Sequence, residues 1–113
     1  MPKKPIPKPR GDKYLWMCYS HFNKVYFGNK LPTPMVLYFG GTKADGDMQF
    51  MESGTVRIRI HEDLKRHLDM AAIALLHEMI HVHLGYDYKG EHGMRFESEK
   101  VRLFMAGAYD KVL

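Results

Sequence analysis

The feature that most constrains this chain is the string His77-Glu78-Met79-Ile80-His81, an HExxH pattern inside the apolar segment of residues 70–84. On an α-helix, residues four apart lie on the same face one turn apart, so the two histidine rings can converge on one zinc ion. Glu78 stands beside them, where a carboxylate can activate a zinc-bound water as a general base. The segment therefore predicts a helix that carries one catalytic zinc ion per chain.

Two histidines do not complete such a site, because catalytic zinc usually takes a third protein ligand and leaves the fourth position to water. Gly85 is placed to end the helix, and we expect the third ligand after it. His92 is the first candidate, since a loop of about seven residues is enough to reverse the chain. The alternatives are carboxylates: Asp87, Glu91, Glu97 and Glu99. His83 lies about 200° around the helix from His81 and is not expected to bind the metal.

Length and composition limit the classes of protein to consider. The 113 residues are enough for one hydrophobic core and too few for two. No apolar run approaches the roughly 18 residues of a membrane-spanning helix, so we expect no membrane contact. The single cysteine, Cys18, excludes an internal disulfide, a cysteine-based zinc ribbon and an iron–sulfur cluster. Any metal must therefore be bound by histidines and carboxylates.

The first eleven residues form a basic, proline-rich segment. Prolines at positions 2, 5, 7 and 9 favour extended geometry over helix, and no apolar stretch follows that would make a secretory signal. We predict a flexible arm over residues 1–11, a folded domain over residues 12–113 and an intracellular location. A solvated tail is the main interpretation, and contact with DNA phosphates is the alternative. The basic side chains available for such contact are Lys3, Lys4, Lys8, Arg10 and Lys13.

Periodicity predicts an N-terminal helix and three strands. From Asp12, a suitable N-cap, apolar side chains recur at helical spacing up to a stop at Gly28: Leu15, Tyr19, Phe22 and Tyr26. His21 and Asn23 lie off this stripe and are expected to be exposed. Residues 35–39, 47–52 and 55–60 read as strands, the last two joined by a turn near residues 53–54.

Two further helices are predicted towards the C-terminus. Asp69 is a candidate N-cap for the helix that carries the HExxH string. A last helix is expected from about Gly93 to Met105. Its inward-facing candidates are Phe96, Leu103 and Met105.

Several motifs together resemble the SprT-like family of zinc metalloproteases, whose members include a DNA–protein crosslink protease. The HExxH string is followed by His92-Gly93-Met94-Arg95-Phe96, which is similar to the family's HGxxF pattern. Upstream, residues 22–27 (FNKVYF) and residues 30–32 (KLP) resemble the FNxxYF and LP segments of the family. The likeness covers about residues 14–104, which is nearly all of the predicted folded part.

The resemblance implies both a fold and a set of site residues. The fold is α+β and zincin-like in a minimal form: an N-terminal helix, a small three-stranded antiparallel sheet, the HExxH helix and a closing C-terminal helix. The zinc ligands would be His77, His81 and His92, the catalytic residue would be Glu78, and Phe96 would pack the last helix.

Two functions are compatible with these residues. The first is a zinc-dependent endopeptidase in which Glu78 activates a zinc-bound water. For this enzyme the resemblance implies DNA-associated or DNA-crosslinked proteins as substrates and a role in DNA–protein crosslink repair. The second is a non-catalytic module that binds DNA or protein and holds zinc only for structure. Glu78 favours the enzyme, because a structural site has no need of a water-activating carboxylate.

Overall fold

The computed structural model describes residues 10–42, 44–85 and 93–110, which form three α-helices and one three-stranded sheet. The elements are α1 (Lys13–Tyr26), β1 (Pro34–Phe39), β2 (Gly46–Phe50), β3 (Val56–His61), a 3₁₀ helix (Glu62–Arg66), α2 (Leu68–Leu84) and α3 (Met94–Met105). The α+β class is confirmed, and the helices and strands lie within about two residues of the predicted bounds.

The sheet is mixed, so the prediction of an antiparallel sheet is wrong. Its strand order is β1-β3-β2, with β1 parallel to β3 and β2 antiparallel to β3. β2 and β3 form a hairpin, closed by backbone hydrogen bonds between Met51 and Thr55 and between Gly54 and Met51. β1 pairs with the far side of β3, and Val36 stands opposite Ile58. The chain must therefore cross over between β1 and β2, which local alternation of residues does not reveal.

Helix α1 begins and ends as predicted. The Asp12 carboxylate accepts a hydrogen bond from the Leu15 amide at 3.0 Å, and the helix stops just before Gly28, whose φ of 62° is left-handed. Leu15, Tyr19 and Phe22 are buried. Before the helix, the backbone of Arg10 and Asp12 is hydrogen-bonded to Val36, which ties the entry of α1 to β1.

The expectation that Asn23 is exposed is wrong, because only 9% of this residue is accessible. Its amide nitrogen donates to the Leu31 carbonyl at 3.3 Å, and its amide oxygen accepts from the Leu31 backbone amide at 3.1 Å. The side chain thus satisfies both backbone groups of one residue in the loop before β1. Helical periodicity identifies apolar positions and does not detect such a polar link. His21 is exposed, as predicted.

Helix α2 lies at the centre of the fold and packs against α1, α3, β2 and β3. It begins at Leu68 with His67 as its N-cap, so the prediction of Asp69 as N-cap is wrong. Asp69 instead lies in the first turn, where its carboxylate accepts from the Met70 amide at 2.9 Å. The helix ends at Gly85, as predicted. The φ of 97° at this position leaves the helical conformation, and residues with a Cβ rarely adopt it.

Helix α3 starts after Gly93 and covers the end of α2. Phe96 and Leu103 are buried, as expected, whereas Met105 is 77% exposed and its predicted burial is wrong. Phe96 and Leu103 are seven residues apart and therefore share a face, but Met105 lies about 200° from Leu103. None of the helices in the described part of the chain is long and apolar enough to cross a membrane.

Candidate metal and catalytic site

His77 and His81 project from the same face of α2, as the helical spacing predicts. Their ring centroids are 5.1 Å apart and their ring planes are inclined by 70°. Phe96 of α3 packs against both rings, with centroid distances of 4.9 Å to His77 and 4.7 Å to His81. The aromatic ring thus braces the two imidazoles from the side of α3, and this contact restricts their rotation.

Glu78 is buried beside the two histidines, with 6% of its surface accessible. Burial, and to a smaller extent the negative charge of Asp47, raise the pKa of its carboxyl from 4.5 to about 7. A carboxyl that ionises near neutral pH is suited to accept and return protons. Glu78 is therefore the candidate for a general base at this site.

Strand β2 contributes a second carboxyl group, that of Asp47, whose charge acts on Glu78. Asp47 stands opposite Arg59 in the hairpin, and its two carboxylate oxygens accept from the Arg59 guanidinium at 2.9 and 2.6 Å. The adjacent Gly46 allows the strand to come close to α2. A Cβ at this position would lie 2.9 Å from the Arg59 carbonyl oxygen and 3.5 Å from Cγ of Glu78.

A cleft of about 920 Å³ lies between β2 and α2, and it exposes the site to solvent. The HExxH residues line one part of it, and the remaining walls come from β2 and from the first half of α2. The residues that line the cleft include Gly46, Asp47, Met48, Phe50, Met70, Ile73, Ala74, His77, Glu78 and His81. A cleft of this size is large enough to hold several residues of a polypeptide.

The predicted third ligand, His92, lies outside the described residues, as do Asp87 and Glu91. The other two alternatives are described and have different contacts. Glu99 accepts from the Arg102 guanidinium at 2.8 Å and lies 3.6 Å from Nε2 of His83, and Glu97 lies 3.8 Å from Lys100. Within residues 10–42, 44–85 and 93–110, no three His, Cys, Asp or Glu side chains are grouped as metal ligands would be. The assignment of His92 stays a prediction.

The donors that are described fit zinc chemically. Two imidazoles one turn apart on a helix, next to a buried carboxyl, are the nitrogen donors and the base that a catalytic zinc site uses. The third donor must come from outside the described residues or from solvent. The HExxH string itself predicted this part of the site.

Sequence reasoning missed the contribution of β2. Asp47 and Gly46 come close to Glu78 only because β2 packs beside α2. The alternation in β3 predicts that Arg59 lies on the outer face of the sheet. That Asp47 is its partner becomes clear only from the register of the hairpin, which the alternation does not give.

Comparison with known proteins does not add to these observations. A scan against protein-family models found no family that matches the chain, and a search of curated proteins found no match either.

Proposed function

We propose that this protein is a zinc-dependent endopeptidase with a minimal zincin-like fold of the SprT-like type. DNA-associated or DNA-crosslinked proteins are the substrate class that the resemblance implies. The single observation that carries the proposal is the placement of Glu78, a buried carboxyl whose pKa is raised to about 7, beside His77 and His81 at an open cleft. General-base hydrolysis requires a carboxyl beside the metal-binding side chains that can accept a proton near neutral pH.

In the proposed reaction, His77 and His81 would hold the zinc ion together with His92, the ligand that the resemblance implies. When bound, zinc lowers the pKa of water and polarises the scissile carbonyl. The Glu78 carboxylate accepts the proton of the attacking water and then transfers it to the nitrogen of the leaving amine. Phe96 keeps the two imidazoles oriented, and Asp47 favours the protonated form of Glu78 after the first transfer.

Metal analysis tests the ligand set. We expect one zinc per purified chain, and we expect its loss in His77→Ala, His81→Ala and His92→Ala. His21→Ala is the matched control, because His21 is exposed on α1 and belongs to another face of the fold. Full zinc retention in His92→Ala would exclude that residue as the third ligand. Retention in His77→Ala would exclude the site altogether.

A cleavage assay tests the reaction. A DNA-binding protein is incubated with the zinc-loaded chain, with and without single-stranded DNA, and fragments are measured. Glu78→Gln should retain zinc and reduce the rate by about 10²- to 10⁴-fold, the contribution of a general base, and a chelator should abolish cleavage. Glu52→Gln, in the exposed turn between β2 and β3, is the control. If the wild-type chain cleaves nothing and still binds DNA or protein after Glu78→Gln, the non-catalytic binding module is the correct function.

A further inference from the structure

One part of the cleft, on the N-terminal side of His77 along α2, is lined by apolar side chains. On α2, Met70, Ile73 and Ala74 precede His77 by seven, four and three residues and so lie on the face that carries it. Met70 is 48% exposed and Ile73 is 41% exposed. By contrast, Leu75, Leu76 and Met79 of the same helix are completely buried in the core. Of the three large apolar residues that α2 leaves exposed, Leu68, Met70 and Ile73, the last two line the cleft.

The opposite wall is formed by β2. Met48 is paired with Ile58 and Phe50 with Val56, and residues directly opposite each other in antiparallel strands point to the same side of the sheet. Ile58 and Val56 are completely buried beneath the helices, so Met48 and Phe50 also face α2. Both are partly buried against the core and both line the cleft.

We propose that these residues, Met48, Phe50, Met70, Ile73 and Ala74, form a specificity surface for a bulky apolar side chain of the substrate. We call this surface the apolar cleft wall. The substrate class is an extended polypeptide that carries Leu, Phe or a similar residue two or three positions from the bond that is cleaved. The position relative to that bond rests on the proposed endopeptidase function, whereas the apolar preference rests on the cleft alone.

The distances along α2 from His77 to Ile73 and Met70 indicate which position of the substrate carries the apolar side chain. Ile73 lies four residues before His77, which is about 6 Å along the helix, and Met70 lies seven residues before it, which is about 10 Å. An extended polypeptide advances about 3.3 Å per residue, so these distances correspond to two or three substrate residues.

An extended polypeptide is the occupant that the geometry favours. β2 is an edge strand of the sheet that the described residues form, and it borders the cleft along its length. An extended segment that lies along such an edge can hydrogen-bond to it while its alternate side chains point towards α2. The five residues of the apolar cleft wall carry no charge, so an apolar side chain gains from burial there and a carboxylate would lose its hydration.

Peptide binding tests the inference separately from catalysis. The Glu78→Gln chain, which should bind without cleaving, is titrated with pairs of fluorescein-labelled peptides that differ only in a Leu or a Ser at one position. Fluorescence anisotropy should show that the Leu peptide binds about tenfold more tightly at one position of the scan. Adding Ile73→Ser to this chain should reduce the preference to about threefold or less.

Val101→Ser provides the matched control. Val101 is a β-branched aliphatic residue on the exposed face of α3, 59% accessible, and it does not line the cleft. Both substitutions bring the same change of helix propensity, so the control should keep the full preference for Leu. Far-UV circular dichroism checks folding, and Met70→Ser replaces Ile73→Ser if the latter does not fold.

Three results would overturn the inference: equal binding of the Leu and Ser peptides, no peptide binding, or the same loss in Val101→Ser as in Ile73→Ser. Cleavage of the same peptides by the wild-type chain separates this inference from the proposed function. Binding with a Leu preference but no cleavage would refute the endopeptidase and leave the apolar cleft wall intact. Cleavage at equal rates for both peptides would refute only the apolar cleft wall.

Discussion

Replacing Glu78 by Gln should change how the stability of the metal-free protein depends on pH. Glu78 is buried, and burial raises the pKa of its carboxyl from 4.5 to about 7. In the unfolded chain the same carboxyl is hydrated and ionises near its ordinary value. Between these two pH values the folded protein retains a proton that the unfolded chain has lost, so stability falls as the pH rises.

The magnitude follows from the same two pKa values. A difference between 4.5 and about 7 corresponds to roughly 3 kcal/mol, at about 1.4 kcal/mol for each pKa unit. This stability is fully present below the lower value and is lost by the time the pH has risen past the upper one. Gln has nearly the same shape and never ionises. The Glu78→Gln chain should therefore match the wild type at low pH and exceed it by about 3 kcal/mol at neutral to alkaline pH.

Urea denaturation at a series of pH values, in the presence of a chelator, measures this difference. All other titratable groups are common to both chains, so the difference in the free energy of unfolding isolates the effect of position 78. Glu52→Gln is the control, because Glu52 is exposed and its replacement removes no buried charge. A difference between wild type and Glu78→Gln that stays constant across the series would refute the argument that burial shifts this carboxyl.

Two further predictions concern side chains of α1 and α3 that stabilise the fold around the site. Asn23→Ala should lower the free energy of unfolding by about 1–3 kcal/mol, because both backbone groups of Leu31 lose their partner, whereas the exposed His21→Ala should have little effect. Equal urea midpoints for the two variants would contradict this. Phe96→Leu should lower stability by about 1 kcal/mol and weaken zinc binding, since it removes the ring that contacts both imidazoles. Phe104→Leu, 63% exposed on the same helix, is the control, and unchanged zinc affinity in the Phe96 variant would contradict the bracing role.

The helices could be predicted from the sequence because their signals are local. The apolar spacing of α1, the N-cap at Asp12 and the stop at Gly85 each depend on residues within a few positions of one another. The burial of Asn23 could not be predicted in this way, since it depends on the loop that returns to Leu31. Met105 is a different case, because its position about 200° around α3 from the buried Leu103 is a local feature from which its exposure could have been predicted.

In the candidate site, too, residues close together in sequence could be predicted to share a location, and residues far apart could not. His77, Glu78 and His81 are adjacent on one helix, so their common location follows as soon as α2 is recognised. Asp47 is about thirty residues earlier in the chain, and nothing near it in sequence indicates a role beside Glu78. Contacts between elements that are distant in sequence depend on topology, which alternation and capping patterns do not specify.

The strand order of the mixed sheet, which differs from the predicted antiparallel sheet, affects the chemistry of the site. In a simple antiparallel meander, the strand of residues 46–50 would lie in the middle of the sheet, with both of its edges paired. Because β3 takes the middle position, β2 becomes an edge strand that packs beside α2. This arrangement brings Gly46 so close to α2 that a Cβ at position 46 would lie 3.5 Å from Cγ of Glu78, and it brings the Asp47 charge close enough to raise the pKa of the Glu78 carboxyl. It also leaves Met48 and Phe50 as one wall of the cleft. The mixed topology therefore adds the Asp47 charge to the burial that raises the pKa of the proposed base, and it supplies one wall of the surface that a substrate would meet.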